Sequence, residues 1–239
     1  MKILLLSDIH ANFPALKAVV DSLNMDDFAA IVNCGDSVVY GPFPNETLSW
    51  LQQYRSLSIL GNTDKKVLKL LKGKTFKKPR NPEKRIMYTW TADNLTGKSA
   101  DYLQSLPKSL HIVFEKENST AIFHGSPAAH HEFLFHDTPD NRFLELAEKS
   151  NCRIVVTGHS HTPYYKFLGD VHFINPGSVG RMFDGNPRAS FAVMTLSGHD
   201  IKVTHHRIPY DIIETTDALA KSKLPEIYSH MFLSGLKLN

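Results

Sequence analysis

Short apolar runs at residues 3–6, 30–34 and 57–60 punctuate the first part of the chain. Each is too short for a helix and lacks the alternation of a half-buried strand, so each reads as a strand buried on both faces. Between the first two, Leu16, Val19, Val20 and Leu23 fall at i, i+3, i+4 and i+7. That stripe predicts a helix over residues 14–23, with Pro14 suited to its first turn. A second helix is expected over 45–54, with Asn45 as N-cap. The order β-α-β-α-β argues for a sheet covered by helices. Residues 65–105 read as helical and basic. Strands resume at 120–123 and at 153–157, separated by a helix at 141–149. Three further strand-like stretches, at 171–174, 190–196 and 201–206, have turn-forming residues between them and suggest an added antiparallel part. One or two short helices close the chain, the second started by Pro225. No repeat or low-complexity tract interrupts this pattern, so residues 1–239 are expected to form one domain.

The polar residues are placed as regularly as the apolar ones. Ser7-Asp8-Ile9-His10-Ala11-Asn12 follows the first run, Gly35-Asp36-Ser37 the second and Gly61-Asn62-Thr63-Asp64 the third. His124-Gly125-Ser126 and Gly158-His159-Ser160-His161 follow the strands at 120–123 and 153–157. In an open α/β sheet, ligands bind outside the carboxyl ends of the strands. Five strand ends therefore bring carboxylates, imidazoles and an amide to one place. Imidazole suits manganese, iron, zinc or nickel, and a carboxylate adds negative charge and can bridge two ions. Two ions about 3.5–4 Å apart can clamp the attacking and leaving oxygens of a phosphoryl displacement. Plainer readings exist for each residue alone. A lone His is usually packed or solvated, an Asp after Gly is usually a turn residue, and Asn62 suits a helix N-cap. They do not account for the ordered set.

Composition narrows the classes. The 239 residues are 42% hydrophobic and 21% charged, which permits a substantial core and argues against global disorder. Net charge is only +3, but residues 65–85 hold ten Lys or Arg against Glu83 alone, so this segment carries +9 and the remainder −6. Two cysteines, Cys34 and Cys152, form no disulfide framework. No membrane span and no signal peptide is legible, so the cytoplasm is the expected compartment.

The ordered set DxH, GD, GNxD, H, GHxH resembles the calcineurin-like metallophosphoesterase superfamily over nearly the whole chain. It is most similar to small prokaryotic phosphoesterases with a Ser-Asp-Ile-His start, the loop at 35–41 and the Asn-Pro-Gly-Ser-Val segment at 175–179. Some relatives hydrolyse diadenosine polyphosphates or phosphodiesters. The resemblance implies a four-layer α/β/β/α sandwich of two mixed sheets. It implies two divalent ions, with manganese expected first and iron, zinc, nickel or magnesium open. Asp8, His10 and His161 would hold one ion and Asn62, His124 and His159 the other, with Asp36 bridging. Asp36, Asn62, Asp64 and His124 would carry catalysis, Asp64 by orienting a ligand or water. Many relatives have His where this chain has Thr63, and that His is thought to protonate the leaving group. Thr is no acid near neutral pH, and losing such a donor costs roughly 10²–10⁴-fold. Substrates with good leaving groups are therefore expected. His130 or His131 could replace the acid, although the preferred reading makes both surface loop residues.

Asn12 could reach a phosphate oxygen or cap a helix. Arg181 and Arg188 could contact phosphate, although a lone Arg is more often solvated, and Asn175 and Ser178 could shape the loop behind the site. The +9 segment reads as a solvated helix face or, second, as a funnel for polyanions. The expected activity is metal-dependent phosphoric ester hydrolysis, as a phosphodiesterase or a nucleotide (dinucleoside polyphosphate) pyrophosphohydrolase. The alternatives are a phosphomonoesterase or protein phosphatase on the same metals, a nuclease, and a scaffold that has lost catalysis. The expected partners are a phosphate ester or nucleotide, with nucleic acid permitted but not demanded and no membrane. Oligomeric state is not legible.

Overall fold

A computed structural model describes residues 1–75, 77 and 79–239. The apolar runs become the centre of two five-stranded mixed sheets. In the first, β1 (Lys2–Leu6), β2 (Ala30–Asn33) and β3 (Leu57–Ser58) run parallel. β9 (Ala189–Ser197) pairs antiparallel with β1, and β10 (Asp200–Ile208) pairs antiparallel with β9. The strand order is β10-β9-β1-β2-β3. In the second, β5 (Asn118–Phe123), β6 (Ile154–Val156) and β8 (Val171–Asn175) are parallel. Antiparallel edges β4 (Ser109–Phe114) and β7 (Tyr164–Leu168) give the order β4-β5-β6-β8-β7.

Strand alternation assigns the layers, because successive side chains point to opposite faces. Ile3 and Leu5 of β1 meet Ile122, Ile154, Val156 and Ile174 of the other sheet, forming the core between the sheets. Leu4 and Leu6 point the other way. They pack with α1 (Phe13–Asp21), α2 (Pro44–Gln53), α3 (Asn62–Leu71), α4 (Pro82–Asn94), α5 (Gly97–Ser105), α7 (Ile212–Lys221) and α8 (Ile227–Ser234). Val155 and Phe173 face outward from the second sheet onto α6 (Asp140–Ser150). The layers are thus α/β/β/α, as the resemblance implied. Among the described residues, no helix is long and apolar enough to cross a membrane.

Several local expectations are corrected. Asn45 lies inside α2, whose N-cap is Phe43; its side chain instead ties α2 to Asn94 and Thr96. The strand expected over 57–60 keeps regular pairing only at Leu57–Ser58. The stretch at 171–174 does not join the antiparallel part, because β8 lies in the second sheet, parallel to β6. Strands β4 and β7 had no counterpart in the sequence reading. Cys34 and Cys152 are both free, Cys34 in the inter-sheet core. Lys78 of the basic segment lies outside the described residues.

Candidate metal centre

The loops after β1, β2, β5 and β6 and the start of α3 converge at one end of the sandwich. Two clusters of possible metal ligands result: Asp8, His10 and His161, and Asp36, His124 and His159. Each draws on both sheets, since residues 8, 10 and 36 follow β1 and β2 whereas 124, 159 and 161 follow β5 and β6. Asp36 lies between the clusters: its Oδ1 is 3.4 Å from His124 Nε2 and its Oδ2 is 3.9 Å from His10 Nε2. Asn62 joins the second cluster, its Oδ1 3.1 Å from His124 Nε2.

Hydrogen bonding behind the site settles what faces into it. The Cys34 carbonyl lies 2.8 Å from His124 Nδ1 and can only accept, so Nδ1 carries a proton and Nε2 is the nitrogen turned toward Asn62 Oδ1. Between that nitrogen and the amide oxygen there is room for one positive centre, the ring's own proton or a metal ion in its place. The same logic holds in the first cluster. The Arg181 carbonyl accepts from His161 Nδ1. His161 Nε2 then points at His10 Nε2, 3.2 Å away, and at Asp8 Oδ1, 3.3 Å away. Asp8 Oδ1 is buried with no hydrogen-bond partner, whereas Oδ2 accepts from Ser7 Oγ and the His159 amide. These converging lone pairs fit divalent ions, and the carbonyls behind the imidazoles orient them as outer partners of metal ligands do.

Charge distribution agrees. Burial works to raise the Asp8 pKa, yet His161 beside it brings it down to about 2. Burial also opposes ionisation of Asp36, and His124, then His10, hold it well below the carboxylate range. Burial lowers His10 to about 3 and His159 to about 4, leaving both neutral and able to donate lone pairs. His124 is the exception: against burial, the Asp36 carboxylate raises it to about 9.

The loops are strained to make this arrangement. Asp8, His10, Asp36, His159 and His161 all have φ between 50° and 66°, a region that costs a non-glycine residue free energy and clusters at functional sites. Gly61 is required by packing: a Cβ there would collide with Asp36 Oδ1 and its backbone nitrogen.

Other expected site residues fall behind or beside the cleft. Thr63 donates its amide to Asp36 Oδ1 and its hydroxyl to the Val38 carbonyl. Asp64 turns away from the cleft and accepts the amides of Gly61, Ser37 and Val38. Asn12 caps α1 through Ala15, accepts from Thr215 and donates to Gly180 and Tyr210, so its amide is spent within the fold. Asn175 braces Gly158 and Ser160, and Ser178 holds the Asp8 carbonyl. Arg188 is exposed and outside the cleft lining. Arg181 corrects the expectation of a solvated side chain: it is buried, its guanidinium 4.0 Å from the Tyr40 ring centroid. His131 is exposed; His130 is half-buried, its ring 5.3 Å from that of His124.

Residues that the sequence did not single out complete the cleft. Phe133 stacks on His159 at 4.1 Å and Phe183 on His161 at 4.3 Å, one ring beside each cluster. Tyr40, Lys84 and Lys237 also line this opening of about 110 Å³. Both phenylalanines lie in loops, where no periodicity marks them.

The sequence profile of the calcineurin-like phosphoesterase superfamily domain matches residues 1–199. An uncharacterised protein of Methanocaldococcus jannaschii is 31% identical over 94% of both chains. A phosphodiesterase of the same organism is 27% identical over 78% of this chain and 89% of its own. The crystal structure of a metallophosphoesterase from Sphaerobacter thermophilus superposes with a TM-score of 0.82 at 27% identity, covering 99% of each chain.

Proposed function

The chain belongs to the calcineurin-like phosphoesterase superfamily, and on that premise we propose that it is a dinuclear metal-dependent phosphodiesterase favouring good leaving groups. The observation that carries this is the convergence of buried ligand atoms: Asp8 Oδ1, which has no hydrogen-bond partner, lies 3.3 Å from His161 Nε2, and His124 Nε2 faces both Asn62 Oδ1 and the Asp36 carboxylate. Asp8, His10 and His161 would hold one ion, and Asn62, His124 and His159 the other, with Asp36 between them. Manganese is the first candidate, since the carboxylate and amide oxygens suit it, while the imidazoles also suit iron, zinc or nickel. Bound there, two divalent ions supply Lewis acidity and a hydroxide nucleophile at neutral pH.

The chain's own residues orient and exclude. Cys34 and Arg181 carbonyls fix the imidazole tautomers, Ser7 and the His159 amide fix Asp8, and Phe133 and Phe183 wall the cleft. Arg181, with its Nε lacking a hydrogen-bond partner, lies beside it as a fixed positive charge toward phosphate oxygens. Thr63 gives no proton to a departing oxygen, because its hydroxyl is donated to Val38. Esters whose leaving group departs unprotonated therefore suit the site. The phosphodiesterase of M. jannaschii supports the diester reading by similarity.

Metal analysis with a bis(p-nitrophenyl) phosphate assay in Mn²⁺ tests this. Two ions per chain with turnover, and at least ~100-fold slower hydrolysis of an alkyl monoester, are expected. Comparable rates on the alkyl and nitrophenyl esters would refute the leaving-group argument. Two bound ions without turnover on any ester would instead make the protein a binding scaffold.

A further inference from the structure

Beside the metal centre, and reached through Asn62, lies a groove of about 430 Å³. Lys65, Lys66, Lys69, Lys72, Lys74 and Lys108 line it, together with His131 and the apolar Leu68. These are not one solvated helix face. Lys65, Lys69 and Lys72 follow each other at i, i+4 and i+7 along α3 and its cap, whereas Lys108 comes from the turn before β4 and His131 from the loop after His124. Two separate segments aim ammonium groups into one depression, and a third adds the His131 imidazole, which burial and the neighbouring lysines keep neutral. No carboxylate lines it, and among the described residues none of these lysines forms a salt bridge. The nearby carboxylates, Asp36 and Asp64, are engaged in the metal centre and the backbone clamp behind it. Burial, and after it the neighbouring Lys108 ammonium, lowers the Lys65 amine to about 8. Such mutual repulsion is a cost in the free protein that an anion would remove.

A second positive group stands at the cleft itself, where Lys84, Arg181 and Lys237 line the opening. Positive charge thus continues from the metal centre along α3. We propose that this groove is a subsite for a linear polyphosphate chain of three or more phosphates, which extends along α3 from the phosphate held at the metals. This rests on the proposed phosphoesterase reading and adds a substrate class to it. A chain of phosphates fits better than a nucleic acid strand. Strand-binding grooves interleave cations with aromatic rings on which bases stack, and no Phe, Tyr or Trp lines this groove. Its lining offers charge repeated along a line, with the single His131 ring as a flat surface rather than the succession that stacked bases need.

Calorimetry on the Mn²⁺-loaded protein provides the test, with pyrophosphate, inorganic tripolyphosphate, adenosine tetraphosphate and a single-stranded oligonucleotide, the phosphate compounds supplied as Mg²⁺ complexes. The comparison is a triple variant, K69A/K72A/K108A, whose changes leave the metal ligands intact. Tripolyphosphate and the tetraphosphate should bind the native protein more tightly than pyrophosphate, and the triple variant should lose roughly tenfold for both chains. Pyrophosphate affinity and bis(p-nitrophenyl) phosphate turnover should not change. Equal affinity for the two chains would mark the phosphates alone as the ligand; tighter binding of the tetraphosphate would mark a nucleotide-borne chain. Affinity indifferent to chain length or to the three lysines would overturn the groove, as would an oligonucleotide bound more tightly than either chain. Absent diester turnover with the lysine effect intact would sink the phosphoesterase reading alone; normal turnover without the lysine effect would sink the groove alone.

Discussion

Asp64 illustrates how a carboxylate beside a metal centre can be structural. Its oxygens take three backbone amides, from Gly61, Ser37 and Val38, and so clamp the loop bearing Asp36 to the start of α3. Asp64→Ala leaves these buried donors without a partner, at about 1–3 kcal/mol for each such group. Urea unfolding should therefore show a loss of about 3 kcal/mol or more, whereas Asp64→Asn, which keeps an acceptor, should lose less. Asp36→Asn should lose two-ion binding and lower turnover by at least ~100-fold, beyond what outer partners of metal ligands contribute, and in the metal-free protein it should also lose the stability that the protonated His124 draws from the carboxylate. Full activity in Asp36→Asn would remove it from the bridging position. Phe133→Ala tests the aromatic wall. Losing its stack on His159, an interaction of about 0.5–1.5 kcal/mol, should weaken one ion up to ~10-fold in a metal titration. The histidines and aspartates were legible because each follows an apolar run within a few residues. Phe133, Phe183 and Lys237 were not, because they reach the cleft only through the tertiary fold. For Asn12 the local rule prevailed: an Asn before a helix caps it.

Among the elements, the buried parallel strands were readable and the edges were not. β1, β2 and β6 are covered on both faces, which requires unbroken apolar residues. β4 and β7 are the two edges of the second sheet. Their exposed positions admit His111 and Tyr165, and the half-buried Lys166 interrupts the apolar residues of β7, so no unbroken run announces either strand. A core strand should accordingly be intolerant of truncation. Leu5 is fully buried between the sheets, and Leu5→Ala should cost about 2–5 kcal/mol in chemical denaturation. If the loss is below 1 kcal/mol, the two sheets do not pack as described. Helix α3 differs from the others because its N-terminus carries the site and its length carries the basic groove.

At the level of the whole molecule, charge and metal are linked through His124. Its folded pKa, about 9, lies above the ordinary value, so in chelated protein its contribution is fully present below pH 6.5 and is lost as pH rises through 9. His10 and His159, lowered to about 3 and 4, titrate below that window. Asp64, raised by burial and Asp36 to about 7, acts at its lower edge and in the same direction. Melting temperature of the EDTA-treated protein should thus fall between pH 7 and 9, while the Mn²⁺-loaded protein, whose His124 is held neutral by the ion, should change little there. A flat profile in the chelated protein would show that His124 is not protonated by its carboxylate neighbours. Each cluster also takes residues from both sheets. An ion bound there works as a rivet through the sandwich, and the sheets cannot part while it is fastened. Mass action then makes the fold's stability a reading of free ion concentration, about 2.7 kcal/mol at a hundredfold excess over the dissociation constant. When metal is scarce, this protein is expected to loosen first at the end where the two sheets' loops meet, while the apolar core between the layers still holds.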